Sequence, residues 1–345
     1  MALTIFSPRS TADRQAATER DLRLFYETRI LPRGTHPLDE TKYAWGQLTG
    51  ADQNLADVSS LAVKIEAHPG PAAEKTVIAA EVSRLPTLAR FTTERWLPEE
   101  REHPNGLGLW LIKAGYRTQD YLEYEMKTVR STTREDFFIG RGFTALQVSI
   151  YSMVQELLTA HFYFAGYLYN QSLGANSDPT LGRIFSDLFK QEFPHFSFYR
   201  GAVRIMWKHN PDKDELKEAL AGFVMPTRVY APEYPTDYAG QLGKRVGFKT
   251  GEVVDILREE IVSYVGHSGL AKIAFGYGQR QPSLPLKAVA YALTPLAYVP
   301  VVSNGAGHLL VKASHALFGV EKRSLEDSVG TDSLMNHLDK LDKPL

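Results

Sequence analysis

The chain has 345 residues, 43% apolar and 23% charged, with 39 basic against 40 acidic side chains and a net charge of −1. Such a composition can bury a large core in one large domain or two ordinary ones, and its balanced charge gives no ground to expect nucleic acid or an anionic membrane as the main partner. Cysteine is absent, which excludes disulfides, zinc–thiolate sites, iron–sulfur clusters and a thiol nucleophile; redox chemistry would need a non-thiolate metal or a bound cofactor. The opening MALTIFSPRSTADRQ lacks the long apolar core of a signal peptide, so a cytoplasmic location is expected.

Residues 10–32 read as an amphipathic helix, with Ser10 or Thr11 as N-cap and Leu22, Leu24, Phe25 and Ile30 on its apolar part. Residues 33–53 are rich in turn formers. A helix is expected from about Leu55, passing Glu66 and meeting Pro69-Gly70-Pro71, with apolar periodicity resuming from Ala72 to about Val82. Pro86 suits the first position of a new helix, where its missing N–H costs nothing. That helix carries Glu100 and His103 and runs on through GLGLWLIKAGY. Residues 116–143 are charged and polar, a connection with some helix.

From Thr144 to about Tyr169 the sequence is apolar nearly all round, as in a helix buried within a bundle, yet it contains Glu156. SLGANSDP (172–179) is a loop ending in an Asp-Pro helix start, followed by a helix of about seven turns holding QEFPH, Gln191 to His195. A charged helix (212–224), a Pro-rich crossover (225–235) and an amphipathic helix capped by Thr250 come next. Residues 286–302 are almost wholly apolar but contain Pro295 and Pro300, and fall short of the ~20 residues of a spanning helix. A buried or interfacial segment is expected there, with membrane contact as the secondary reading. No period-2 alternation and no internal repeat is evident, so the fold is expected to be all-α.

EEREH and QEFPH each place a Glu and a His three residues apart, Glu100/His103 and Glu192/His195. On a helix each pair aims a carboxylate and an imidazole at one point, and that donor set suits iron or manganese. Two Glu-x-x-His pairs plus one Glu from each of two further helices is the ligand pattern of ferritin-like di-iron bundles. Glu156 supplies one: it lies 36 residues before Glu192, which leaves two arms of four turns or more around the 172–179 loop. For the other, depth matching decides. Glu100 follows Pro86 by 14 residues, about 21 Å of helix. Glu66, which is 34 residues before Glu100, fits if the helix continues past the prolines; Glu74 is shallower and stands second, and Glu81 sits almost in the loop. The expected ligand set for two iron ions is therefore Glu66, Glu100, His103, Glu156, Glu192 and His195.

These residues carry a family resemblance. PTLARFTTERWLPEEREH resembles the helix ending W-x-x-E-E-x-x-H of the soluble acyl-acyl-carrier-protein desaturases of plants and mycobacteria. QELLT (155–159) is similar to their third ligand helix, QEFPHFSFYR to their D-E-x-x-H helix, and FVMPTRVYAPEY (223–234) to the M-P-x-x-x-x-P-E segment of the mycobacterial members. The resemblance covers about residues 10–265. It implies a ferritin-like di-iron bundle with additional helices over 1–267; residues 268–345, of different composition and without a counterpart in that family, are expected to form a C-terminal apolar extension. It also implies an O2-dependent homodimeric desaturase, which takes electrons from ferredoxin and an acyl chain from acyl carrier protein. Thr159 matches the family position associated with the oxygen-binding face. The chain departs from the pattern at Gln191, where the family has Asp, and at Pro104 and Pro194 beside and between the ligands.

Competing readings stand beside this one. EEREH alone reads more simply as a solvated helix face, and His161 as a hydrogen-bonded core residue. Lys127, Arg130, Arg134 and Arg141 are candidates for docking an acidic carrier protein, or an ordinary solvated loop. The same six ligands would serve a di-iron N- or C-oxygenase of a tailored metabolite. A non-catalytic ferritin-like scaffold binding a lipid or partner is the third alternative.

Overall fold

A computed structural model describes residues 11–35, 38–45, 52–132, 144–210, 238–248 and, within 253–269, all but 254, 255 and 258. The described residues are helical and contain no strand, in accord with the all-α expectation. The charged 212–224 segment, the Pro-rich crossover, Thr250, Arg134, Arg141 and the apolar 286–302 stretch lie outside them. No helix among them is long and apolar enough to cross a membrane.

Helix α1 (Thr11–Phe25) is prolonged by a π turn, Tyr26–Ile30. It buries Leu22, Tyr26 and Ile30, spaced four apart along one face. Its Glu19 reaches the start of a later helix and accepts from the Thr87 N–H at 3.3 Å and the Thr87 hydroxyl at 2.5 Å. Helix α2 (Gln53–Ile65) begins at Asp52, whose carboxylate accepts from the N–H groups of Asn54 and Leu55. It is buried on nearly every side, including Lys64, which pairs with Glu125 at 2.5 Å.

The expected continuation of this helix through Glu66 is not found. Helix α2 stops at Ile65, with Glu66 as its C-cap, and α3 (Gly70–Val82) starts afresh at Pro69. Proline cannot donate to the preceding turn, and two prolines around a glycine make a restart less costly than a kinked continuation. Helix α3 closes with Arg84 in the left-handed region (φ 56°) and the Leu85 N–H on the Ala80 carbonyl at 2.8 Å, the Schellman pattern.

Helix α4 is a rod in three parts: Pro86–Phe91, a π turn at Thr92–Trp96, and Leu97–Lys113. Pro86 takes the first-turn position expected for it. The π turn lies just before Pro98, whose ring would otherwise press on the carbonyl four residues back. Helix α2 packs against the Leu97–Lys113 arm and α3 against the Pro86–Phe91 start, so the broken pair still runs alongside the rod. The charged stretch after Tyr116 contains a full helix, α5 (Gln119–Thr132). It covers α2 through buried Leu122 and through Glu125, which also accepts from the Tyr121 hydroxyl at 2.9 Å.

Helices α6 (Ala145–Ser172) and α7 (Pro179–His209) form the long hairpin. A capping box of Thr144 and Gln147 opens α6, and Asp178 caps α7 with Pro179 in its first turn. Helix α7 runs through Pro194, as the last part of α4 runs through Pro104. A polar staple fixes the hairpin's depth. The Asn170 side chain exchanges two 2.9 Å hydrogen bonds with the Asp178 backbone, and the Asp178 carboxylate accepts from the Leu181 N–H and from the Trp110 indole at 3.1 Å. A short helix α8 (Tyr238–Arg245) and helical residues between 253 and 269 complete the described fold. Buried Glu260 ties the latter to α7 by accepting from Arg200 and Arg204.

Among the described residues the apolar interior falls into two clusters. One gathers Leu22, Tyr26, Phe91, Phe196 and Phe198; the other gathers Leu55, Val58, Leu107, Trp110 and Phe185. On α4 and on α7 alike, the stretch carrying Glu-x-x-His lies where one cluster gives way to the other. Asp178→Ala removes a helix cap and strands a buried indole N–H, so we expect a loss of roughly 2–4 kcal/mol as a lower unfolding midpoint in urea. Asp187→Ala, which breaks only i±3/i±4 pairs with Arg183 and Lys190, should change stability by about 0.5 kcal/mol or less.

Candidate metal centre

Six side chains from four helical segments converge where the two apolar clusters meet. Glu66 comes from the end of α2, Glu100 and His103 from α4, Glu156 from α6, and Glu192 and His195 from α7. None is more than 5% exposed. They form two overlapping groups, Glu66–Glu100–His103–Glu192 and Glu100–Glu156–Glu192–His195, each with one ligand atom per residue within 4.8 Å of the others. Glu100 and Glu192 belong to both groups; the other four residues divide evenly between them.

Both imidazoles face inward through Nδ1. His103 Nδ1 lies 3.2 Å from Glu192, 3.5 Å from Glu100 and 3.9 Å from Glu66. His195 Nδ1 lies 3.1 Å from Glu100, 3.3 Å from Glu156 and 3.7 Å from Glu192. The rings are 6.3 Å apart and tilted by 26°. The i, i+3 spacing puts each Glu and His on one helical face, and the hairpin's staple sets the depth at which α6 and α7 present theirs.

Whether these residues fit a metal is decided by their unmet polar atoms. Both Nδ1 atoms, Glu100 Oε1, Glu156 Oε2 and both Glu192 oxygens are buried without a hydrogen-bond partner. So many orphaned acceptors in one place would cost several kcal/mol in an apolar core unless a cation satisfied them. Four carboxylates with two neutral imidazoles carry −4, which two divalent cations balance. The donor set suits iron or manganese.

The electrostatics point the same way. Burial, then the charge of Glu192, pushes the Glu100 carboxyl up to about 8. Burial, then Glu100 and Glu192, raises Glu156 well above the usual carboxylate range. Burial acts on Glu192 too, but His103 and His195 outweigh it and hold that carboxyl down at about 2. Both imidazoles are raised well above their ordinary value, because the surrounding carboxylates outweigh the burial that disfavours their charge. Positive charge is what this cluster requires.

Three outer contacts were not anticipated in the sequence. Glu99 Oε2 sits 2.6 Å from His195 Nε2, on the side away from the cluster. With the proton on Nε2 donated to Glu99, Nδ1 is left as a lone-pair donor. The Trp96 indole donates to Glu156 Oε1 at 2.9 Å, and the Tyr163 hydroxyl to Glu66 Oε1 at 2.9 Å. Sequence signals existed: Trp96 is four residues before Glu100 and Tyr163 seven after Glu156, both on ligand-bearing faces.

Protein-family models and curated proteins were searched with this chain, and neither search finds a match.

The remaining candidates are placed as follows. Glu74 is exposed on α3, away from the cluster, although the break after Ile65 removes the continuous helix on which the choice of Glu66 rested. Thr159 is half-buried, and its hydroxyl donates to the Gln155 carbonyl at 2.7 Å. His161 is buried against Phe248, with ring centroids 5.3 Å apart, outside both groups. Gln191 is fully buried beside Glu192 on α7.

We expect Glu192→Ala, which removes a carboxylate common to both groups, to abolish metal binding. Glu66→Ala and Glu156→Ala should each lose about one equivalent, and Glu74→Ala none. Metal per chain after reconstitution and gel filtration measures this; loss in Glu74→Ala with full occupancy in Glu66→Ala would reverse the assignment of the first carboxylate.

Proposed function

We propose that this chain is a ferritin-like di-iron oxidase of the acyl-carrier-protein desaturase type. The observation that carries the reading is the buried pair of overlapping Glu/His groups, with two carboxylates common to both and two Glu-x-x-His pairs on separate helices. The motif order that resembles the soluble desaturases adds the substrate class. In the reaction so assigned, an acyl CH2–CH2 unit, O2, two electrons and two protons give a cis double bond and two waters. Ferredoxin supplies the electrons, acyl carrier protein presents the chain, and a homodimer is the working form.

Two bound iron ions would supply the oxidising power that removal of hydrogen from an unactivated C–H bond demands. The chain's own part is to hold them and shield them. Glu66 and His103 would hold one ion, Glu156 and His195 the other, and Glu100 and Glu192 would span both. Trp96 and Tyr163 each donate to one oxygen of a terminal carboxylate, fixing its orientation while the second oxygen faces inward. The flanking aromatic clusters exclude water, which strengthens every charge interaction inside.

One observation favours a neighbouring reading, oxygenation of a carrier-bound or free metabolite: Gln191 stands where the resembling family has an acidic residue. Iron-reconstituted protein given a saturated long-chain acyl carrier protein, ferredoxin, its reductase, NADPH and O2 should yield a monounsaturated product, identified by mass spectrometry, and Glu192→Ala should yield none. A hydroxylated product would favour the oxygenase. A folded protein that takes up no iron would overturn both in favour of a scaffold.

A further inference from the structure

The two halves of the centre are not built alike. Behind His195, Glu99 accepts a hydrogen bond from Nε2 at 2.6 Å and has a cation beside it. Its other oxygen lies 3.6 Å from Arg95 Nε, and Arg95 donates through Nη1 to the Ile30 carbonyl at 3.0 Å. Arg95 and Glu99 are both buried, and their 3.6 Å contact is an ion pair without a hydrogen bond, so the guanidinium charge steadies the carboxylate while the Ile30 carbonyl holds the guanidinium. His195 is therefore fixed in ring orientation and made a stronger donor before any metal arrives.

Among the described residues nothing stands behind His103 in this way, and its buried Nε2 has no hydrogen-bond partner there. Each Glu-x-x-His has one residue immediately before its Glu: Glu99 on α4 and Gln191 on α7. Glu99 crosses to the histidine of the opposite helix. Gln191, which holds the corresponding place on α7, is neutral: its amide oxygen is a weaker acceptor than a carboxylate, and His103 Nε2 makes no hydrogen bond to it. The terminal carboxylates differ as well. Glu156 extends from the middle of a 28-residue helix, 3.3 Å from its histidine. Glu66 stands on a C-cap four residues before a helix restart, 3.9 Å from its histidine.

We infer that the centre loads unequally: the Glu156–His195 half binds its metal ion first and tightly, and the Glu66–His103 half holds a weaker, exchangeable ion. Glu99 is the positioning residue that makes the difference, and Gln191 is its missing counterpart. This rests on the di-metal reading proposed above. Outer partners of this kind are typically worth 10–100-fold in metal affinity, so the two binding steps should be separated by about that factor.

The test uses full-length apoprotein titrated with manganese(II), with the free ion followed by its electron paramagnetic resonance signal. Wild type should show two steps 10–100-fold apart. Glu99→Gln should weaken the first step toward the second, and Gln191→Glu should strengthen the second toward the first. Crystals carrying one equivalent of manganese should give an anomalous peak beside His195, a measurement independent of whether either variant folds. Two equal steps in wild type, an unchanged first step in folded Glu99→Gln, or a first peak beside His103 would overturn the inference and leave the di-metal reading standing. Failure of the wild type to bind any manganese or iron would instead overturn the di-metal reading itself.

Discussion

Four carboxylates placed within a few ångströms of one another in an apolar interior would repel strongly and lose their hydration. Burying them calls for positive charge at the same point. Two neutral imidazoles leave that charge to a cation, and the orphaned oxygens mark where one could be held. Much of the architecture follows from that requirement. A side chain placed to hold a cation gains from a stiff support, from an outer hydrogen bond where one is present, and from a dry surround that keeps water from competing. The α6–α7 hairpin provides the support, Glu99, Trp96 and Tyr163 provide outer bonds, and the two aromatic-rich clusters provide the surround.

The supporting elements are themselves pinned by polar contacts at their ends. Glu19 of α1 holds the first turn of α4, and Asp178 joins the starts of α7 and the Asn170 turn of α6 to Trp110 of α4. These contacts lie far from the centre along the helices, yet they set the depth at which each ligand is presented. A long helix carries such a fixed end faithfully, because each residue advances it by a constant 1.5 Å.

What was legible in the sequence was what depends on neighbours in the chain. Pro86 and Asp178-Pro179 announced helix starts through local chemistry, and Glu100/His103 and Glu192/His195 announced a shared face through spacing. The apolar run around Glu156 marked that carboxylate as buried. The contacts that escaped detection join distant positions. Glu99 and His195 are 96 residues apart, and Tyr163 and Glu66 are 97 apart, so neither pairing leaves a trace in a periodic pattern. Helix α5 was obscured because its apolar periodicity is weak within a charged stretch; among its described side chains, Leu122 and Glu125 are buried. The restart at Gly70 was mistaken for a kink because a break and a bend share the same prolines.

The π turn at Thr92–Trp96 has a consequence of its own for how this protein tolerates change. A π turn amounts to one extra residue threaded into an α-helical path, so it takes up that residue while keeping the two parts of α4 in phase. The Pro86–Phe91 part directs Leu88 and Phe91 into one apolar cluster, while the later arm directs Glu100 and His103 at the carboxylates and Leu107 and Trp110 into the other. Losing a single residue within that turn would restore a regular helix and leave the two parts close to their present phase, because Phe91 and Trp96, which share one apolar cluster five residues apart, would then be one α turn apart. A residue lost from either regular part would instead swing the two parts by about 100° against each other. Removal of exposed Thr93 should therefore keep both the aromatic residues and the carboxylates facing inward, whereas removal of exposed Arg101 would turn one set away from the interior.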